Sequence, residues 1–381
     1  MSFDHYIQSG GRRLRCGYTT GTCAALAAQG AARLLLTGQV PERVSLRTPK
    51  GWVVEVPVEA PRLEGDTAFC SVTKDGGDDI DSTHGLSITA AVTRQSGEEI
   101  TLRGGEGVGR VTKPGLDQPV GQWAINSVPR RMIYEAVDSV RQALDEPGGL
   151  LVTISVPGGR EAARKTFNPH LGVEGGISIL GTSGIVEPMS VQALVDTMAL
   201  ELRQAAGGAR RLVLTPGNYG MDFLKGGTLD LPGQVPVVRC SNFVGEALDS
   251  ARLEGFHEIL LVGHIGKFVK LAGGIFNTHS RWADGRTEIF CAHAALCGAD
   301  RETAQALMDS ATADRCLEIL AEKQLREPVL ASLLSAIQRH LDRRAGEDLQ
   351  TGAVLFSNQY GLLGMTRGAK EILDTWNTAR N

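Results

Sequence analysis

Long apolar runs are missing from this chain of 381 residues. None approaches the roughly 20 residues that a membrane-spanning helix needs, so no membrane role is expected. Residues 1–20 lack the apolar core of a secretory signal. A strong excess of charge is missing too. A formal net charge of −4 gives no general basis for binding nucleic acid or an anionic lipid surface, so an anionic ligand would need a local basic cluster. Cysteine is sparse, and its spacing forms no framework. Cys16, Cys23, Cys70, Cys240, Cys291, Cys297 and Cys316 are odd in number and include no C-x-x-C pair. That argues against a disulfide scaffold or a zinc site, and for reduced thiols in a cytoplasm. Internal repeats and low-complexity tracts are absent from the sequence. What remains is an ordinary globular composition, 42% apolar and 22% charged, long enough for two domains with separate cores.

Glycine is plentiful, and its placement matters more than its total. The apolar run 177–180 breaks at Gly181, Thr182, Ser183 and Gly184, followed by Glu187 and Pro188. Val191, Leu194, Val195, Met198 and Leu202 then fall on one helical face. Strand, tight turn and helix together form the unit that opens a doubly wound sheet. The expected division is therefore an N-terminal α+β domain over 1–175, β-rich with packed helices, and a C-terminal α/β domain over 176–381, built on a mainly parallel doubly wound sheet.

In the first half, Thr19, Thr20 and Thr22 precede a helix that runs through 24–36 and stops at Gly38. Only Gln29 and Arg33 suit water, so this helix should be buried. The threonines read as caps, or as hydroxyls and amides that hold an anionic group. Residues 44–47, 52–58, 68–73 and 86–94 read as strands, as does 150–156. Between the third and fourth, Asp75, Asp78, Asp79, Asp81 and His84 crowd a loop. Acid–base work or cation binding is open to it, although the spacing is not that of an EF-hand; a solvated Asp/Gly turn is the plainer explanation. The glycine-rich loop 104–115 carries Arg110 and Lys113 but lacks the G-K-[ST] ending of a P-loop. Arg130 and Arg131 stand in the first turn of the next helix, against its dipole, a hint that they meet something negative.

The second half alternates strand and helix. Strand 212–215 runs into Gly217, Asn218 and Tyr219. Strand 235–239 runs into Ser241 and Asn242. Strand 259–262 runs into His264 and Lys267, and a late strand covers 353–356. Residues 300–344 read as helical. Turns gathered at the carboxyl edge of a parallel sheet are where such folds bind ligands.

Several stretches, taken in order, resemble one family. Gly17-Tyr-Thr-Thr-Gly-Thr-Cys-Ala-Ala, Glu106-Gly-Val-Gly-Arg-Val-Thr-Lys-Pro-Gly-Leu, Gly181-Thr-Ser-Gly-Ile-Val-Glu-Pro-Met-Ser, Thr215-Pro-Gly-Asn-Tyr-Gly, Gly263-His-Ile-Gly-Lys and the Thr278-to-Arg286 region are similar to the cobalt-precorrin-5B C(1)-methyltransferases, the CbiD family. The resemblance implies methyl transfer from S-adenosylmethionine to C-1 of a cobalt-containing corrin precursor, giving cobalt-precorrin-6A on the anaerobic route to cobalamin. It implies no protein-held metal, because cobalt arrives inside the substrate. The family lacks the usual glycine fingerprint of Rossmann-type methyltransferases, so residue roles are assigned from this chain.

A sulfonium donor needs a narrow, backbone-lined pocket with polar ends. Gly181, Thr182, Ser183, Gly184, Glu187, Gly217, Asn218, Tyr219, Ser241 and Asn242 are the candidates. A carboxylate-rich macrocycle needs cations and hydroxyls, here Thr19, Thr20, Arg110, Lys113, Arg130, Arg131 and Lys267. Asp79, His84 and His264 are the candidate catalytic groups, although a structural role is the plainer reading of either histidine. On this division the N-terminal domain holds the tetrapyrrole and the C-terminal domain the donor. A homo-oligomer stays open. Two other classes compete: a phosphotransferase using loop 104–115 with Mg²⁺ on the aspartate loop, and a non-catalytic tetrapyrrole carrier.

Overall fold

The structure, a computed structural model, describes residues 3–9, 11–166 and 168–378. The chain forms two compact units, the first ending at Val191 and the second beginning at Gln192.

The first unit is built around α1 (Thr20–Thr37). Thr19 caps it, its Oγ1 accepting the Thr22 amide at 3.3 Å, and Gly38 ends it in the left-handed region at φ 71°. From Thr20 to Leu35 burial is broken only at Gln29 and Arg33, as the composition of this helix predicts. The helix lies against α2 (Ser127–Ala143) and a five-stranded sheet. The strands are β1 (Glu59–Glu64), β2 (Thr67–Thr73), β3 (Ser87–Gln95), β4 (Ile100–Gly104) and β5 (Gly149–Ser155), in the order β1-β2-β3-β5-β4. All neighbours are antiparallel except β5 with β4. Alternation aims Ala68, Cys70 and Val72, then Ile88, Ala90 and Val92, into the core. Small residues on both the sheet and the alanine-rich helix let the two approach closely.

The segment 177–188 departs from its expected course. It opens no parallel sheet. Ile177 and Ile179 make isolated bridges to Val108 and Ile125 and are buried in the first unit's core, while Ile185–Val186 pairs antiparallel with Gly17–Tyr18. The turn between them is tied to the start of α1. The Gly21 amide donates to Leu180 O at 3.0 Å, and Thr22 Oγ1 to Gly184 O at 2.7 Å. The first unit therefore runs past the expected limit at 175. In the next helix, α3 (Val191–Ala205), only Met198 and Leu202 are buried, and Leu194 is exposed.

The second unit is the doubly wound one. Its strands are β6 (Arg211–Thr215), β7 (Val237–Arg239), β8 (Glu258–His264), β9 (Gln350–Ser357) and β10 (Gly361–Met365), ordered β7-β6-β8-β9-β10. The first four are mutually parallel and β10 is an antiparallel edge. After β6 the chain passes through α4 (Asn218–Lys225) to the edge strand β7, then returns through α5 (Val244–Leu253) to β8 on the far side of β6. The winding reverses between β6 and β8, and the carboxyl ends of those strands are left apart. From β8 follow α6 (Ile265–Ala272), α7 (Arg286–Leu296), α8 (Arg301–Met308), α9 (Ala313–Glu322) and α10 (Arg326–Ala345), a helical insertion before β9. The last helix, α11 (Arg367–Thr378), presses on β9 so closely that a Cβ at Gly352 would sit 2.1 Å from the Ala369 nitrogen.

Candidate active site

At the point where the winding reverses, β6 ends at Thr215 and the chain turns through Pro216 and Gly217 into α4. The turn folds back tightly: a Cβ at Gly220 would lie 1.7 Å from Thr215 Oγ1. Beside it, β8 ends at His264, which caps α6. His264 Nδ1 accepts the Gly266 amide at 3.1 Å, so the ring proton of the neutral imidazole sits on Nε2. Nε2 lies 3.9 Å from Asp314 Oδ2, and Asp314 Oδ1 accepts the Ser357 hydroxyl at 2.6 Å. Phe356 meets the histidine ring edge-on, with centroids 5.6 Å apart.

A cavity of about 670 Å³ opens between these elements. Its walls are the turn 216–220, the start of α6 with Lys267, Arg286 of α7, and Thr312, Ala313 and Asp314 at the start of α9. Burial lowers the His264 pKa below the ordinary imidazole value, against a smaller upward pull from Asp314, so the ring is neutral near pH 7. Burial likewise lowers Lys267, whose ammonium reaches Pro216 O at 3.5 Å. The cleft therefore combines glycine backbone, an apolar ring wall, one carboxylate and two cations.

The family model described as CbiD matches residues 7–188, and that described as CbiD, C-terminal domain, matches 277–367. A cobalt-precorrin-5B C(1)-methyltransferase of Ruminiclostridium cellulolyticum is 46% identical over 93% of this chain and 92% of its own length. One from Alkaliphilus metalliredigens is 41% identical over 97% of each. The chain belongs to the CbiD family. A crystal structure of the cobalamin biosynthesis protein CbiD from Archaeoglobus fulgidus is 32% identical, covers 74% of this chain and 87% of that one, and superposes with a TM-score of 0.40.

The C-terminal CbiD model spans Arg286, Thr312, Ala313 and Asp314, the cleft residues that sequence reasoning missed. A faint signal was present, since Thr312 ahead of Ala313 and Asp314 reads as a helix cap. Of the expected site residues, the cleft gathers Gly217, Asn218, Tyr219, His264 and Lys267. Asn242 lines an adjoining cavity. Ser241 is exposed, at φ 51°.

The other expected site residues stand in the first unit, most of them with their polar groups engaged. Thr20 Oγ1 lies 3.3 Å from both Ser178 O and Leu180 O, and Thr19 spends its oxygen as a cap. Gly181 faces Thr19, and Ser183 bonds within its own turn. Thr182 is exposed, and Glu187 is ion-paired with Lys50. Arg110 donates to Gly121 O at 2.7 Å with its guanidinium 3.9 Å above the Trp123 ring. Arg130 donates to Ile125 O at 2.7 Å, which explains its place in a first helical turn: it ties down the loop that enters the helix. Arg131 is exposed, 3.9 Å from Glu135, and the exposed Lys113 lays its stem along Gly172.

The aspartate loop is internally paired. Asp75 takes Arg15 at 2.5 and 2.8 Å, Asp78 accepts the Arg15 amide, and Lys74 pairs with Asp81. Asp79 accepts the Met189 amide at 3.2 Å, and His84 Nδ1 that of Gly76 at 3.0 Å. Among the described residues, no three His, Cys, Asp or Glu side chains converge as a metal site.

Proposed function

We propose that this chain transfers the methyl group of S-adenosylmethionine to C-1 of cobalt-precorrin-5B, giving cobalt-precorrin-6A in anaerobic cobalamin biosynthesis. Near-full-length identity to relatives of that name carries the reading. The donor supplies an electrophilic methyl group on a sulfonium, and cobalt comes within the substrate. The cleft of the second unit suits the donor. Its volume of about 670 Å³ falls within the roughly 300–1,000 Å³ of small-ligand pockets. Gly217, Gly220 and Gly266 allow close backbone approach, Lys267 and Arg286 suit a carboxylate, and Asp314 suits an amine or ribose hydroxyl.

In-line methyl transfer rests on alignment and exclusion of water rather than on a strong base. His264 contributes in its neutral form. It adds no further positive charge beside a sulfonium, and its Nε2–H can orient a substrate oxygen. Phe356 and Tyr219 give the ring an apolar surround. We assign the macrocycle to the first unit, where Arg110, Lys113 and Arg131 are exposed. Cytoplasmic placement belongs to the same reading; among the described residues no helix is long and apolar enough to cross a membrane.

The phosphotransferase alternative loses its cradle. The Gly105, Val108 and Gly109 amides donate to Ile154, Gly105 and Ile177 carbonyls, and a Cβ at Gly107 would lie 1.9 Å from Val156 O. The test is turnover under anaerobic conditions with S-adenosylmethionine and cobalt-precorrin-5B. A singly methylated corrin and an equal amount of S-adenosylhomocysteine are expected. Tetrapyrrole binding without methyl transfer would turn the reading toward a carrier.

A further inference from the structure

Beside the donor cleft lies a second cavity of about 310 Å³. It shares Lys267 and Arg286 with the cleft and adds Asn242, Lys270, Thr278 and His279. Lys270 reaches it from within the fold and is only 2% exposed. Its ammonium donates to Thr278 O at 3.1 Å and Ala283 O at 2.9 Å, with Asp284 at 3.7 Å. Asp284 is also held by Arg286 at 2.5 and 2.9 Å, so one carboxylate serves two cations. Lys267, three residues along α6 from Lys270, adds a further charge. Three cations (Lys267, Lys270, Arg286) against one carboxylate (Asp284) leave two positive charges unmatched.

The neutral groups complete the pattern. Asn242 Oδ1 accepts the Thr278 hydroxyl at 3.3 Å, which leaves its amide hydrogens for the cavity. His279 Nδ1 accepts the Arg281 amide at 3.0 Å, which leaves the ring proton on Nε2. The lining is rich in donors and cations, and the Asn242 and Thr278 carbonyls are engaged internally. Crowded, partly desolvated ammonium groups are costly without an anion. Burial lowers the pKa of both lysines, and the neighbouring cations add to it.

Resting on the donor-cleft reading above, we propose that this cavity is a carboxylate subsite that opens from the cleft and clamps a carboxylate of a bound substrate between Lys267, Asn242 and His279. Two carboxylates have the right chemistry: the methionyl end of the donor, and an acidic side chain of the macrocycle. Calorimetry separates them. S-adenosylhomocysteine and 5′-methylthioadenosine share a nucleoside thioether, but only the first carries a carboxylate. If the donor fills the subsite, Lys267→Met weakens S-adenosylhomocysteine about tenfold to a hundredfold and leaves 5′-methylthioadenosine unchanged. If the macrocycle fills it, both nucleosides bind Lys267→Met normally, while KM for cobalt-precorrin-5B rises by a similar factor. Lys267→Arg, which keeps the charge, should retain most of the affinity, and Asn242→Ala should lose part of it; circular dichroism confirms that each variant is folded. Unchanged nucleoside affinity together with an unchanged KM overturns the subsite. A wild-type protein that binds neither nucleoside overturns the donor-cleft reading instead, and the KM arm still decides the subsite.

Discussion

His264 Nδ1 is occupied by a backbone amide and its ring is half-buried, so its protonation is unfavourable until the pH falls below the ordinary imidazole value of about 6.5. The neutral form prevails at pH 7, and acid adds a positive charge beside Lys267. Affinity for cationic S-adenosylmethionine should therefore drop on acidification more than affinity for neutral S-adenosylhomocysteine. Calorimetry across roughly pH 5 to 8 reads that difference, and His264→Gln should abolish it. Gly184 makes a contrasting case. Its φ is 78°, and a side chain there would meet Thr48 Cβ at 2.8 Å and Thr22 Oγ1 at 3.0 Å. Gly184→Val should lower unfolding stability by about 2–4 kcal/mol with donor affinity intact in the folded fraction. The opposite pattern, a stable protein that no longer binds S-adenosylhomocysteine, would return the donor pocket to this turn.

At the scale of elements, the aspartate loop shows how charge can serve architecture. Burial would raise Asp75, but hydrogen bonds from Arg15 and the Gly77 amide outweigh it and hold the carboxyl below its ordinary value of 3.8. Burial opposes Asp81 in the same way, and Lys74 and Thr83 prevail. A lowered carboxylate pKa means that the folded state binds protons less readily than the unfolded state. The stabilisation is present above the ordinary carboxylate pKa and is lost as the pH falls through that value and below it. Arg15→Met should therefore move the midpoint of acid unfolding to higher pH, as followed by circular dichroism. Methyl transfer should survive EDTA once cobalt is in the substrate; loss that Mg²⁺ restores would give the loop a metal role. The capping of α1 is separable from this. Thr19→Ala should cost about 1 kcal/mol in urea unfolding.

Across the whole molecule, each unit has its own buried core. One is centred on α1 and the sheet β1–β5, and the other includes Val213, Leu260, Val354, Ile372 and Trp376. The cleft is built wholly from the second unit. A fragment of residues 189–381 should therefore bind S-adenosylhomocysteine with affinity near that of the full chain, and residues 1–191 should not bind it. Binding confined to the first fragment would reverse the assignment of donor and acceptor sides.

Periodicity and turn residues sufficed for much of this. The buried course of α1 follows from a helix with two polar interruptions. Three strands of the β1–β5 sheet, β2, β3 and β5, follow from alternation, whereas β1 and β4 do not, and the expected strands at 44–47 and 52–58 pair with each other outside that sheet. The glycine turns after β6 and β8 follow from strands that stop abruptly. The ordered motifs made the family legible. These are local signals, because side-chain period and backbone freedom are properties of neighbouring residues. The destination of a segment is a different matter. Run 177–180 and its turn looked like the start of a parallel sheet, yet the carbonyls of Leu180 and Gly184 accept the hydroxyls of Thr20 and Thr22 in α1, some 160 residues earlier in sequence. Glu187 looked free for a ligand until the fold set Lys50 beside it, and Arg130 looked unpaired until Ile125 O accepted its guanidinium. Arg286 and Asp314 join His264 only because a helical insertion returns to the sheet before β9. Sequence by itself determined the buried course of α1, where strands β6 and β8 become turns, and which family the chain resembles, but not the burial of α3, where only Met198 and Leu202 of the expected face are covered. Only the tertiary structure decided which charges neutralise one another and which remain unmatched at a cavity, because pairing depends on distance in space, and local pattern carries no record of it.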